Sequence, residues 1–88
     1  MAQHKTRFAV IGAGHGGTAL AGYLALKGYP VNLFNRSLRR LEGILEAGGI
    51  QLEGAAKGFA RLEYVGSDIE RALYGVDVVM VVVPASGH

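Results

Sequence analysis

The chain has 88 residues, half of them hydrophobic, a net charge of +2 and no cysteine. One small domain, or part of a larger one, is all that length holds, and the hydrophobic half excludes a disordered tail. The positive charge is small and scattered, with one cluster at Arg36, Arg39 and Arg40, and gives no argument for a nucleic-acid partner.

The lack of cysteine removes disulfide scaffolds, thiolate metal sites and cysteine nucleophiles together. The longest apolar run, residues 78–83, falls far short of the roughly 20 residues needed to span a bilayer. The chain therefore reads as cytoplasmic, with no membrane partner.

In chain order, residues 8–11 form a short apolar run closed by Gly12, which suits a buried strand. Residues 18–27, rich in Ala and Leu, predict a helix stopped by Gly28 and Pro30. Residues 31–35 return to strand character. Ser37 then reads as the N-cap of a second helix, whose Leu38, Leu41, Ile44 and Leu45 share a face and whose end is Gly48-Gly49. Residues 50–53 and 59–65 predict two strands around a loop at 54–58. Ser67 with Glu70 is a capping-box pattern for a short helix reaching Tyr74. Asp77 leads into the apolar strand 78–83, which should be covered on both faces.

Strands alternating with helices predict an α/β fold: a Rossmann-type parallel sheet with a hairpin insertion. The chain stops directly after its most hydrophobic strand, where another crossover helix should follow. Residues 1–88 thus read as an incomplete N-terminal dinucleotide-binding domain, cut after its fourth core strand, with an edge that favours self-association into a homo-oligomer.

The chemistry lies in Gly12-Ala13-Gly14-His15-Gly16-Gly17, which fits G-x-G-x-x-G between a strand and a helix. The first glycine permits a tight turn, the second lets a pyrophosphate approach the backbone, and the third lets helix and strand pack closely. The helix N-terminus supplies free N–H groups and a favourable dipole. Thr18 stands where the alternative G-x-x-x-G-x-G spacing needs glycine.

At the end of the second strand, where an acid would hold the adenosine ribose diol, stand Asn35, Arg36 and Ser37. An amide, a guanidinium and a hydroxyl can all donate to a 2′-phosphate, so NADP is favoured over NAD. Arg39 and Arg40, one turn into the second helix, read as its solvated face, with reach to the same phosphate as the alternative. His15 faces the pyrophosphate and not the reacting ring, so no catalytic residue is assigned. Val83, Pro84 and Ala85 leave the last strand beside the glycine loop, near the nicotinamide ribose.

Residues 8–21 (FAVIGAGHGGTALA), 24–28 (LALKG), 31–36 (VNLFNR) and 77–88 (DVVMVVVPASGH) resemble the opine dehydrogenases. Glycerol-3-phosphate dehydrogenase and ketopantoate reductase share much of the pattern. The resemblance implies an enzyme that condenses an amino acid with a 2-keto acid by hydride transfer from the reduced nicotinamide to the imine carbon. It places the cofactor on Gly12, Gly14 and Gly17, with contact from the segment at Pro84. The substrates would be held by a following helical domain absent from these residues, so the chain alone should bind cofactor without turnover. A non-catalytic module that senses nucleotide is the alternative from a different class.

Overall fold

A wholly apolar segment satisfies its backbone best in the middle of a sheet, and residues 8–11 take that place. The computed structural model describes residues 5–54 and 57–83. Along the chain run β1 (Phe8–Ile11), α1 (His15–Leu26), β2 (Val31–Phe34), a 3-10 turn (Leu38–Leu41) and α2 (Glu42–Ala47). They are followed by β3 (Gly49–Leu52), β4 (Gly58–Arg61), β5 (Tyr64–Gly66), α3 (Ile69–Leu73) and β6 (Val78–Val81).

The main sheet has the order β5-β2-β1-β6, and its pairings are all parallel. β3 and β4 form a separate antiparallel hairpin. This is a Rossmann-type α/β fold with the hairpin inserted between the second and third strands of the sheet.

Alternation along β2 separates two layers. Val31 and Leu33 are fully buried with Val10, Ala21, Leu41 and Ile50 on the side that carries α1 and the hairpin. Asn32, 4% exposed, points the other way and donates from Nδ2 to the Ala72 carbonyl of α3 at 2.8 Å. A buried amide without that partner would be costly, so the bond fixes α3 against the second face. Each fully buried Val or Leu contributes about 1.5–3 kcal/mol by leaving water. The β3–β4 hairpin lies on α1, closest at Gly22, where Ile50 and Leu52 press on the helix.

Several sequence expectations are corrected. α1 begins at His15, three residues before Thr18, and takes in Gly16 and Gly17. The second helix opens with a 3-10 turn, Ser37 makes no side-chain cap, and Leu38 and Leu45 are exposed while Leu41 is buried. Residues 59–65 do not form one strand. Gly58–Arg61 stays in the hairpin, and Tyr64–Gly66 crosses to the main sheet, because Glu63 N–H reaches the Val31 carbonyl at 2.8 Å. The cap of α3 is Asp68 and not Ser67: Asp68 Oδ1 accepts from the N–H groups of Glu70 and Arg71 at 3.1 and 3.3 Å. Finally, β6 is not covered on both faces. Val79 and Val81 are 50% and 68% exposed.

Candidate functional site

The parallel register brings three strand ends to one edge of the sheet. Ile11 lies beside Phe34 on one side and Val81 on the other. The loop 12–17, the segment 35–37 and Val82-Val83 therefore leave the sheet together. β2 and β5 extend from β1 in one direction and β6 lies in the other, so the chain changes direction between β1 and β6. Ligands of open α/β sheets bind in the crevice at such a point.

The glycines divide by what surrounds them. Gly12 has a φ of +114°, and a Cβ there would run into the Val82 carbonyl oxygen. A Cβ on Gly17 would run into the Gly12 carbonyl oxygen and lie 2.8 Å from its carbon. Gly14 is the opposite case: a Cβ there would meet nothing within 4 Å. The first and third glycines thus serve the fold, and the second leaves open space beside the chain.

That space lies at the N-terminus of α1. Gly14 is the N-cap, no side chain caps the helix, and its first turn holds no acid. The first N–H groups of a twelve-residue helix are left to an outside acceptor. Bare N–H groups, a helix dipole and open backbone suit a pyrophosphate.

The loop is held by both neighbours. Gly12 N–H donates to the Phe34 carbonyl at 2.8 Å, and Val82 N–H to the Ile11 carbonyl at 2.9 Å. Ala13 N–H donates to Asn35 Oδ1 at 2.9 Å, and Thr18 Oγ1 donates to the Ala13 carbonyl at 3.1 Å. Asn35 Nδ2 in turn donates to the Ser37 carbonyl at 3.0 Å. The sequence reading cast Asn35 as a phosphate donor. The structure instead commits its oxygen and one N–H to the protein backbone.

Of the other residues singled out in the sequence, His15 and Gly16 are exposed on the first turn of α1. Arg36 and Ser37 are exposed just beyond β2, and among the described residues the Arg36 guanidinium has no hydrogen-bond or ion-pair partner. Val83 is 72% exposed at the same edge. Pro84 and Ala85 lie outside the described residues.

A cleft of about 680 Å³ runs from Gly14 and His15 down between α1 and α2 to Ile50. Arg40, exposed as the sequence reading predicts for the solvated face of the second helix, also lines this cleft.

Sheet order, crossing point, bare helix N-terminus and the three glycine environments together define a nicotinamide-dinucleotide-binding domain. Residues 7–88 match the family described as the NAD binding domain of 6-phosphogluconate dehydrogenase, and the chain belongs to that family. It is 42% identical over 89 residues to an opine dehydrogenase of an Arthrobacter species (strain 1C), covering 100% of this chain and 24% of that enzyme. It is also 35% identical over 77 residues to a glycerol-3-phosphate dehydrogenase (NAD(P)+) of Desulfotalea psychrophila, covering 88% of this chain and 23% of that enzyme. The chain spans about a quarter of the length of these curated relatives.

Proposed function

We propose that these residues are the cofactor domain of an NADP-preferring oxidoreductase that reductively condenses an amino acid with a 2-keto acid. The reading of cofactor binding is carried by one observation: a Cβ collides with backbone at Gly12 and Gly17 and meets open space at Gly14. The reaction class is supported by the 42% identity to an opine dehydrogenase across the whole chain.

When bound, the reduced nicotinamide supplies the hydride for the imine carbon. The residues of this chain bind and orient. Free N–H groups of α1 take the pyrophosphate, with no side chain competing for them. The exposed Arg36 guanidinium and Ser37 hydroxyl are available to a 2′-phosphate, and Arg40 adds positive charge on the cleft side of Gly14. Val83, exposed at the same edge on the far side of the sheet's crossing point, would line the nicotinamide end. The amino acid and the 2-keto acid would be held by a catalytic domain outside these residues, and that domain would carry the proton transfers.

A second reading, reduction of a phosphorylated three-carbon ketone, is supported by the 35% identity to a glycerol-3-phosphate dehydrogenase. The test is oxidation of NADPH by the full-length protein, followed by loss of absorbance. Substrate pairs would be an amino acid with pyruvate, and dihydroxyacetone phosphate alone. Turnover that requires both the amino acid and the keto acid supports the condensation. Turnover with dihydroxyacetone phosphate alone selects the second reading. Tight cofactor binding with neither activity selects a nucleotide-sensing module.

A further inference from the structure

The hydrogen-bond ladder between β1 and β2 ends with Gly12 N–H on the Phe34 carbonyl, while the next residue, Asn35, faces β5 as alternate residues of a central parallel strand do, its N–H donating to the Gly66 carbonyl at 3.1 Å. Past Gly12 the chain turns so that Ala13, only 7% exposed, brings its N–H to the β2 side, where an acceptor is needed. Asn35 Oδ1 takes that place at 2.9 Å. One side-chain oxygen thus ties the turn after β1 to the end of β2. The same amide closes on the Ser37 carbonyl at 3.0 Å, and the Ala13 carbonyl is held from the other side by Thr18 Oγ1.

We infer that Asn35 is a positioning residue. It locks the Ala13 peptide, and with it the open backbone at Gly14, to the segment that carries Arg36 and Ser37, without itself touching the pyrophosphate. The inference rests on the dinucleotide-binding reading above and deepens it. Asparagine fits both bonds because it carries an acceptor and a donor on one planar group, whereas an ionised aspartate only accepts. Aspartate at this position would keep the bond from Ala13 N–H and set an oxygen against the Ser37 carbonyl. Alanine would lose both bonds and leave a buried N–H unpaired.

The two substitutions therefore separate the two bonds. The measurements are titrations of the full chain with ADP, which carries a pyrophosphate and no 2′-phosphate, and amide hydrogen exchange at Ala13. In Asn35→Ala, ADP affinity should fall about tenfold and the Ala13 amide should exchange at least about tenfold faster, as loss of a partner to a buried donor predicts. In Asn35→Asp both should return to within about twofold of the parent, because the acceptor is restored. A purely structural role would show instead as equal destabilisation by both variants with no recovery of ADP binding in the aspartate form. That result would overturn the inference, as would an Asn35→Ala chain with unchanged Ala13 exchange. Titration of the parent with 2′,5′-ADP against 5′-AMP, which differ only in the 2′-phosphate, keeps the NADP preference separate: equal affinities remove the preference and leave the Asn35 result standing.

Discussion

The loop after β1 and the segment after β2 lie side by side at the same sheet edge and are built in opposite ways. In the first, backbone atoms fix Gly12, Ala13 and Gly17 and leave Gly14 open. Gly12 faces the Val82 carbonyl, Gly17 faces the Gly12 carbonyl, and the Ala13 peptide is bonded on both its polar atoms. In the second, Arg36 and Ser37 project into solvent. On the proposed function, the pyrophosphate common to all dinucleotides would be met by main chain that packing holds still, and the ribose substituent that differs between cofactors by side chains that little else depends on. Affinity and selectivity are therefore separable in this molecule, and substitutions on the two sides should fail differently.

Gly17→Ala should have the largest effect. Its Cβ cannot fit unless β1 and α1 part, so stability should fall by at least about 3 kcal/mol, read by chemical denaturation, and dinucleotide binding should go with it. An unchanged denaturation midpoint would remove the close-packing account of that glycine. Gly14→Ala sharpens the contrast, since its methyl meets only open space in the protein. Stability should hold within about 1 kcal/mol while NADPH and NADH affinities both drop about tenfold or more in a calorimetric titration. Equal losses of stability at Gly14 and Gly17 would erase the distinction between them.

Across the edge, Arg36→Ala should weaken NADPH binding about tenfold and leave NADH within about twofold, with unfolding unaffected. Parallel losses for the two cofactors would show that Arg36 does not read the 2′-phosphate. Arg40→Ala should act in the same sense by about threefold, because an exposed cation facing the site across water is weakly coupled to it. Ser37→Ala should move stability by less than about 0.5 kcal/mol in thermal unfolding, as its hydroxyl caps nothing. A larger loss there would mean that the 3-10 turn leans on that side chain.

How much of this was legible in the sequence follows from how local each feature is. The apolar run 8–11, the glycine pattern and the Ala/Leu-rich helix signal themselves within a few residues, and the roles of Gly12 and Gly17 follow from the motif. The division of residues 59–65 between two sheets has no such signal. No glycine or proline marks the break at Leu62, and the switch depends on Val31, distant in the chain, offering its carbonyl to Glu63. Arg40 is exposed, as its reading on a solvated face predicts, and what the sequence does not show is that this face borders the cleft beside Gly14. The dual bonding of Asn35 was also out of reach, since residue type alone does not reveal which neighbours compete for an amide. For β6, the apolar run stated a demand for cover and not what would meet it.

The contact between Gly12 and the Val82 carbonyl has a consequence in time. β1 leaves a ribosome some seventy residues before β6, its partner on one side; Arg7 N–H and Asp77 Oδ2, joined at 2.8 Å, are separated by 70 positions. A nascent chain that has emerged only as far as β5 already holds every letter of the glycine motif and lacks the wall against which the motif turns. Contacts of such long sequence separation form late, because the intervening loop must be closed first. The cofactor cradle is thus written around β1 and becomes a cradle only when β6 arrives.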